Sequence, residues 1–509
     1  MKKINKIFRI LFFTGFVIIF AWVSLNLFFG HQVNDFLASD DKEDEQIGAD
    51  SLGIIYPDPM VEINPFSSNL SVRQRLVNIY EPLVVQDENL NLKPSLAISW
   101  GVIDKTTWEF HVRSDVEFHD GSDFDTEDIV ASIERAQDSD KSEMVELVDD
   151  IDKIEVVDEL SFFIHTDGPD PLLLNKLSLV PMISSDEGDE FLVPNGTGPY
   201  EFSSWEKGQE LLLKRNNSYW GQMPKFENLE LLTRVDISLR VNDFLKDKGE
   251  VLTFVPFDAV KVLEEKEVEM ISIPTLEVQF LLFNMDSEIL SDVAARRAVF
   301  ASVDREGFVK KIGSFAKKVD QYVSDGVFGY NSGIELSNYS LKNAKRLVSE
   351  AELIDETLKL NLPVGMDVLG EQLRNDFNKV SINLIVSYLE VPDLLQSMED
   401  RDADIYFLGF KSTLGDAAEF FDSVVRSGAD FNVGRYSNPG VDYLIDIALS
   451  EFSQRVRLEA MKEAAEIIVN EDYIGIPLFE YEKVYAFSDE VSWEQRVDGL
   501  IYPDDIEIK

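Results

Sequence analysis

The residue types that perform most protein chemistry are scarce or uninformative in this chain of 509 residues. It has no cysteine and four histidines, which excludes thiolate nucleophiles, thiolate metal sites and disulfides. The motifs G-x-S-x-G, H-E-x-x-H and G-x-x-x-x-G-K-[ST] are absent from the sequence. Carboxylates are so numerous that a pair of them carries no catalytic information. We therefore predict a protein that is not an enzyme, with no catalytic residues, no metal site and no cofactor.

Net charge and chain length further restrict the functional classes to which the protein can belong. The 95 acidic and 47 basic residues give a formal net charge of -48, which repels nucleic acid and favours a cationic or zwitterionic ligand. Acidity also keeps a secreted protein soluble, so charge alone does not select a ligand. A chain of this length with 45% hydrophobic residues can form two or three domains. We expect no nucleic-acid partner.

The stretch Asn195–Gly221 reads NGTGPYEFSSWEKGQELLLKRNNSYWG and is the most specific in the chain. Two glycines just before Pro199 predict a sharp turn followed by an extended segment. An alternating aromatic run from Tyr200 and a second apolar run from Glu210 are joined at Gly208. This pattern predicts a β-hairpin.

The same stretch resembles the signature of the family 5 extracellular solute-binding proteins, the peptide and nickel receptors of ABC importers. Similar motifs follow in the family's order along nearly the whole chain, at Ile63–Phe66, Asn78–Val84, Leu92–Ala97, Val116–Gly121, Leu281–Asn284, Tyr436–Asp442 and Ile476–Phe479. The resemblance implies an α/β fold of the periplasmic-binding-protein type II (cluster C), with two large lobes and a small insert lobe.

The resemblance also implies the lobe boundaries. Lobe I is expected to combine 52–81, 196–279 and 481–509, lobe II to be the insert 82–195, and lobe III to be 280–480. Within them, Asp125 is predicted to start an amphipathic helix, and Val293–Arg305 is helical in pattern. Gly198 and Phe280 are expected near the hinge.

The N-terminus predicts a membrane attachment. A basic tail, residues 1–9, precedes an uncharged run at 10–30 that is long enough to span a bilayer as a helix. A cleaved signal peptide is the alternative, but its apolar core is usually shorter and is followed by small residues. We expect an uncleaved anchor with the tail in the cytoplasm. Residues 31–51 then form an acidic, flexible linker.

The resemblance implies that ligand-binding residues lie in loops beside an interlobe cleft, and the candidates are Phe66, Phe410, Ser412, Thr413, Asp416, Asn432, Arg435 and Tyr436. Arg435 could form a forked pair with a ligand carboxylate or an ordinary ion pair within the protein. In peptide-binding members of the family, the position of Thr413 holds an aspartate that pairs with the ligand's α-amino group.

The threonine at position 413 leaves two alternatives. Another carboxylate such as Asp416 receives the amine, or the ligand has no free α-amine there. A ligand ammonium group that is buried without a carboxylate partner would lose about 3–5 kcal/mol of binding free energy. On the second alternative, N-acetylation of a bound peptide should cost little affinity.

The function predicted from the sequence is that of an extracytoplasmic receptor of an ABC importer. It is expected to be a monomer that captures an oligopeptide or similar small solute and presents it to the transporter permease. The alternatives are a peptide sensor or holdase without a transporter, and a receptor for nickel or a metal chelate. A hydrolase that uses two cleft carboxylates is the remaining enzymatic alternative.

Overall fold

The computed structural model describes residues 50–313 and 315–509, which form two compact units. The first unit comprises the described residues before Pro274 together with Lys483–Lys509, and the second unit is Pro274–Glu482. The predicted tail at 1–9, the anchor at 10–30 and the linker up to residue 49 lie outside the described residues. Among the helices that the structure describes, none combines the length and the apolar run that a bilayer-spanning segment requires.

The strands cover both units. They are β1 (Ser51–Tyr56), β2 (Val84–Gln86), β3 (Leu92–Pro94), β4 (Ala97–Asp104), β5 (Thr107–Val112), β6 (Ile151–Asp158), β7 (Ser161–Thr166), β8 (Tyr200–Glu206), β9 (Glu210–Arg215), β10 (Asn228–Thr233), β11 (Val251–Leu252), β12 (Glu269–Phe283), β13 (Ala316–Lys318), β14 (Thr357–Pro363), β15 (Asn383–Leu389), β16 (Ile405–Lys411), β17 (Gly475–Phe487), β18 (Val491–Trp493) and β19 (Ile506–Ile508).

The helices alternate with these strands. They are α1 (Leu70–Leu76), α2 (Thr126–Gln137), α3 (Val145–Val148), α4 (Leu173–Leu177), α5 (Ile237–Leu245), α6 (Phe257–Glu265), α7 (Val293–Ala301), α8 (Arg305–Ile312), α9 (Leu341–Glu350), α10 (Asp367–Lys379), α11 (Val391–Asp400), α12 (Ala418–Phe420), α13 (Pro439–Ser450) and α14 (Gln454–Glu466). The π-helical turns Phe421–Val425 and Ile467–Glu471 continue α12 and α14, and Pro503–Asp505 is a short 3-10 turn.

The first unit is organised around β1. This strand is buried along its whole length and pairs in parallel with β10 and β11, as expected for a strand covered on both faces. The hairpin of β8 and β9 extends the sheet beyond β10. A separate antiparallel sheet has the order β4-β5-β7-β6, and its core contains the stacked rings of Phe110 and Phe162, 5.1 Å apart.

The second unit contains the strand order β15-β14-β16-β12. β14 pairs in parallel with β15 and β16, and helices α10 and α11 connect these strands, so the unit has the α/β architecture predicted from the sequence. β12 runs antiparallel to β16 through the register pairs from Glu277 with Lys411 to Phe283 with Ile405. This pairing places the end of β16 beside the beginning of the part of β12 that lies in the second unit.

Two local predictions are confirmed. The Asn195–Gly221 stretch contains the β8–β9 hairpin, with Gly208 in its turn at a φ of 74°. Asp125 caps helix α2: its side chain accepts the backbone N–H of Glu127 at 2.7 Å, and its own N–H donates to Asp128 at 2.9 Å.

The single helix predicted for Val293–Arg305 is wrong. α7 ends at Ala301 and a new helix, α8, starts at Arg305. The side chain of Asp304 accepts the backbone N–H of Gly307 at 2.9 Å, so Asp304 is an N-cap and not a residue inside a helix. The apolar periodicity continues across this break, which explains why the pattern alone did not show it.

Candidate functional site

The first group of predicted site residues in the second unit lies at the end of β16 and in the loop that joins β16 to α12. Phe410 is fully buried and its ring lies 5.1 Å from that of Phe420 in an edge-to-face contact. Phe420 also meets Phe280, at 5.9 Å, and stacks on Tyr322, at 5.6 Å. Phe410 and Phe280 are therefore core residues of one aromatic cluster, which fixes the start of the loop.

The opposite face of β12 and β16 is buried but polar at the end nearest the loop, at Glu277 and Gln279. Gln279 is completely buried and donates to Glu277 at 2.6 Å. Gly409 lies directly across from Gln279, and a Cβ at position 409 would lie only 2.6 Å from the Gln279 amide nitrogen. A side chain at position 409 would therefore force the Gln279 amide to move, because the glutamine side chain occupies the space above Gly409.

Ser412 is the first residue of the loop. Its N–H donates to the carbonyl of Leu276 at 3.0 Å, and its side chain is 2% exposed. Within residues 50–313 and 315–509, no group hydrogen-bonds the Ser412 hydroxyl. An unsatisfied buried hydroxyl costs about 1–3 kcal/mol.

Glu419 is a carboxylate of this loop region that the sequence analysis did not single out. One carboxylate oxygen accepts the backbone N–H groups of Thr413 and Leu414, each at 3.1 Å. None of the described residues hydrogen-bonds the other oxygen, and the side chain is partly exposed. Burial raises the pKa of Glu419 to about 8; the two N–H donors oppose this and the charge of Asp416 adds to it. In the described part of the chain, no cation acts on this carboxylate.

Asp416, by contrast, is already paired. One carboxylate oxygen lies 2.8 Å from the guanidinium of Arg457, and the other accepts the N–H of Ala418 at 3.0 Å. Arg457 also donates to the carbonyl of Ala448 at 2.7 Å. Burial raises the pKa of Asp416 and Arg457 opposes that rise. Asp416 thus joins the loop to α14, and both of its oxygens are engaged within the protein.

The second group of predicted residues lies at the far end of β12. The N–H of Met285 donates to the carbonyl of Gly434 at 2.8 Å, whereas Ser412 is held by Leu276. Nine residues of extended chain separate these two anchor points, a distance of about 30 Å. The structure therefore does not bring the 432–436 loop into the same wall as Thr413.

The side chains of this second loop are mostly engaged within it. The amide of Asn432 donates to the carbonyl of Tyr436 at 2.6 Å and accepts the Tyr436 N–H at 2.9 Å. The Tyr436 hydroxyl donates to Asp472 at 2.5 Å. Arg435 is exposed, with a φ of 59°. A ligand-binding role for these three residues stays a prediction.

Phe66 and Gly198 belong to the first unit. Phe66 is fully buried, and its ring lies 6.3 Å from that of Phe191. The N–H of Gly198 donates to the carbonyl of Ile79 at 2.8 Å, and a Cβ at position 198 would lie 2.6 Å from that oxygen. The glycine allows this close backbone packing within the bend at residues 197–199 that the sequence predicted. The hinge at Gly198 and Phe280 and the division into three lobes stay predictions.

A buried carboxylate explains why the Asn195–Gly221 motif contains the residues it does. Glu81, 7% exposed, accepts hydrogen bonds from Thr197 at 2.9 Å, Tyr219 at 2.8 Å and the Trp220 ring nitrogen at 2.9 Å. Burial outweighs these donors and raises its pKa to about 7. His119 supports the same segment with a 3.0 Å hydrogen bond to the Gly198 carbonyl. These contacts are structural.

Comparison with known proteins agrees with this architecture. The chain is 24% identical to the dipeptide-binding protein of Escherichia coli (strain K12) over 454 residues, which cover 79% of this chain and 84% of that protein. It is 23% identical to the nickel-binding protein NikA of Staphylococcus aureus (strain NCTC 8325 / PS 47) over 409 residues, or 78% and 81% of the two chains.

A solved structure shares the fold. The unliganded open form of the periplasmic murein tripeptide-binding protein MppA superimposes with a TM-score of 0.82 at 18% identity, covering 91% of this chain and 98% of that one. The fold is therefore that of the periplasmic binding proteins. Residues 91–432 match the model of the bacterial extracellular solute-binding proteins, family 5 Middle. On this match over two thirds of its length, the chain belongs to family 5 of the bacterial extracellular solute-binding proteins.

Proposed function

We propose that this solute-binding protein captures an oligopeptide outside the cytoplasm and delivers it to an ABC transporter. The observation that carries the proposal is the loop after β16. It presents a carboxylate oxygen of Glu419 without a hydrogen-bond partner among the described residues, close in sequence to the unsatisfied hydroxyl of Ser412. Both groups accept hydrogen bonds, and an ammonium group supplies several donors. Dipeptide- and tripeptide-binding relatives support the choice of a peptide.

The residue that receives the peptide's amine is Glu419 and not Asp416. Both charges of the Asp416–Arg457 pair are satisfied inside the protein, so capture of a ligand amine by Asp416 would leave Arg457 without its partner. Loss of one partner of a buried pair costs about 3–5 kcal/mol, which outweighs a single new contact. Glu419 faces no such competition because, among residues 50–313 and 315–509, the one charged group that acts on it is the anion Asp416.

The raised pKa of Glu419 predicts that ligand binding is coupled to the release of a proton. With a pKa of about 8 in the free protein, the carboxyl group is mostly protonated at pH 7. A ligand ammonium group beside it favours the charged form and lowers that pKa. Binding near pH 7 should therefore release a proton, and a ligand without the ammonium group should release none.

Affinity selection from a tripeptide library tests the proposal. The purified protein is incubated with equal amounts of tripeptides whose amino termini are free or N-acetylated, and mass spectrometry quantifies the retained peptides. We expect free-amine peptides to be enriched by about tenfold or more, since the pair forms in a partly exposed site. This expectation replaces the sequence-based alternative in which N-acetylation costs little.

Two variants test whether the preference for free amines depends on Glu419. Glu419→Gln keeps the side chain's size and removes its charge, so the preference for free amines should disappear. Glu399→Gln, a change at an exposed carboxylate of α11, should leave the preference unchanged. Retention of no tripeptide by the wild-type protein would refute peptide capture. Equal retention of free and acetylated peptides would refute the role of Glu419 while leaving peptide capture intact.

We also propose that the protein remains attached to the membrane. The uncharged run at 10–30 follows Lys2, Lys3, Lys6 and Arg9, and this order places the body of the protein outside the cytoplasm. Fractionation of cells expressing the full chain should recover it in membranes washed with carbonate, with the body accessible to added protease. Recovery of a shortened chain in the soluble fraction would show cleavage at a signal peptide instead.

The protein binds its solute without making or breaking a bond in this proposal, and it acts as a monomer. Incubation with the retained peptides should return them intact, as judged by mass spectrometry. Light scattering of the purified protein should give the mass of one chain. A turnover product would point to the hydrolase alternative.

A further inference from the structure

A small cavity lies inside the first unit, where four segments of the chain meet. Its walls come from α1, from the segment around Pro82, from the residues after α4 and from the C-terminal segment near Leu500. The volume is about 120 Å³. Cavities of about 150 Å³ accept a molecule as large as benzene, so this cavity can hold a molecule of a few carbon atoms.

The walls are mainly apolar. Leu70 and Val77 of the α1 region face the cavity together with Pro82, Leu179, Pro181 and Leu500. Branched aliphatic and proline side chains offer no hydrogen bonds, so they favour an apolar guest of matching size.

The C-terminal segment brings one cation and one anion to the cavity, and these neutralise each other. Arg496 donates from two nitrogens to the two carboxylate oxygens of Asp498, at 3.1 and 2.8 Å. It also donates to the carbonyl of Gln86 at 2.9 Å, which fastens the segment beside β2. This bidentate pair leaves neither charge available to a guest.

Arg73 is the remaining charge at the cavity. It lies in the last turn of α1 and lines the cavity, and no described residue forms a hydrogen bond or an ion pair with its guanidinium. Burial lowers the pKa of Arg73, and the only compensating interaction is with Tyr502. A half-buried guanidinium without an anion is unfavourable, and it is unusual in a chain with twice as many acidic as basic residues.

The geometry points to a second binding site, in which the Arg73 guanidinium pairs with the carboxylate of a short aliphatic monocarboxylate whose hydrocarbon part fills the cavity. All of its residues belong to the first unit, whereas Glu419 and its loop belong to the second unit. The site also selects the opposite ligand charge. It is therefore independent of the peptide site, and each can fail without the other.

Ligand-observed NMR titration of the full-length protein tests this site. The probes are 3-methylbutanoate and its neutral analogue 3-methylbutanamide, which has nearly the same shape. We expect the carboxylate to bind with a dissociation constant of about 1 mM, as suits a small ligand, and the amide to bind at least about tenfold more weakly. The charge of Arg73 is responsible for the difference.

Three variants separate the charge, the cavity and the fold. Arg73→Gln should weaken carboxylate binding at least about tenfold and leave amide binding unchanged. Val77→Trp should fill the cavity and abolish binding of both probes. Lys153→Gln removes a positive charge from an exposed position of the same unit and should change nothing.

Several results would overturn the assignment. These are the absence of saturable binding of 3-methylbutanoate to the wild-type protein, equal affinity for acid and amide, or equal affinity in the wild-type and Arg73→Gln proteins. If Arg73→Gln does not fold, the acid–amide comparison on the wild-type protein and the Val77→Trp variant still decide the question.

Discussion

The carboxylate of Asp416 lies 2.8 Å from the guanidinium of Arg457, and both side chains are more than nine-tenths buried. This pair connects the loop after β16 to helix α14, 41 residues further along the chain. Asp416, which the sequence offered as an alternative partner for a ligand amine, is thus engaged inside the protein, and this supports the proposal that Glu419 receives the amine.

Breaking this pair should destabilise the protein strongly. Asp416→Ala leaves the Arg457 charge buried without a partner, and we expect the free energy of unfolding to fall by about 3–5 kcal/mol. Urea denaturation followed by circular dichroism measures the loss. The control is Arg455→Ala, which removes an exposed pair with Glu459 and should cost less than about 1 kcal/mol. A loss below about 1 kcal/mol for Asp416→Ala would contradict a tightly coupled pair.

The protonation of Glu419 should make peptide affinity depend on pH. Its pKa of about 8 means that raising the pH from about 6 to about 8 increases the charged fraction of Glu419 in the free protein from about 1% to about one half, and the charged form attracts an ammonium group. Affinity for a retained free-amine peptide should rise over this range by about tenfold, measured by calorimetry. Glu419→Gln should show a flat profile, and so should the wild-type protein with the N-acetylated peptide. A flat wild-type profile with the free-amine peptide would refute the assignment.

The glycine at position 198 should not tolerate even a methyl group. In Gly198→Ala, the new Cβ would lie 2.6 Å from the Ile79 carbonyl oxygen, so the backbone must move. We expect a loss of about 1–3 kcal/mol in the free energy of unfolding. Gly168→Ala is a matched control because its Cβ would have no neighbour within 4 Å. Equal stability of both variants would show that the Ile79 contact is easily relaxed.

Glu81 should contribute to the pH dependence of folding. Its pKa is about 7 in the folded protein and lower when unfolded, so the folded state binds the extra proton between these values. Stability is then highest at low pH and falls as the pH rises from about 5 to about 7, by about 2 kcal/mol for this group. Glu81→Gln should remove that part of the slope in denaturation curves at the two pH values. An unchanged slope would mean that the hydrogen bonds from Thr197, Tyr219 and Trp220 keep the carboxylate charged.

The sequence predicted local structural elements well, because these elements depend on residues that are close together in the chain. The cap at Asp125 and the hairpin around Gly208 depend on residues a few positions apart. The prediction of one helix across Val293–Arg305 was wrong because two local signals compete there. The apolar pattern favours a continuous helix, whereas Asp304 caps a new helix within it.

The site was harder to predict because its contacts are distant in sequence. Arg457 has no signal that links it to Asp416 across 41 residues. Glu419 could have been found, because a glutamate at the start of a helix often accepts N–H groups of the preceding loop. On sequence alone, Thr413 and Arg435 group as residues of one site. Only the path of β12 in the structure shows that their loops are separated by about 30 Å. The distance between Thr413 and Arg435 could not be predicted from the sequence.

The hydrogen bonds around Glu81 have a consequence for how such proteins diverge. The residues by which the chain is recognised, Thr197, Tyr219 and Trp220, are committed to an internal carboxylate and not to the solute. On the proposal that Glu419 receives the ligand, mutations around it can change what is bound without disturbing these contacts. A receptor can therefore acquire a new cargo while its signature stays intact, and the signature of two such proteins gives no measure of how similar their cargoes are.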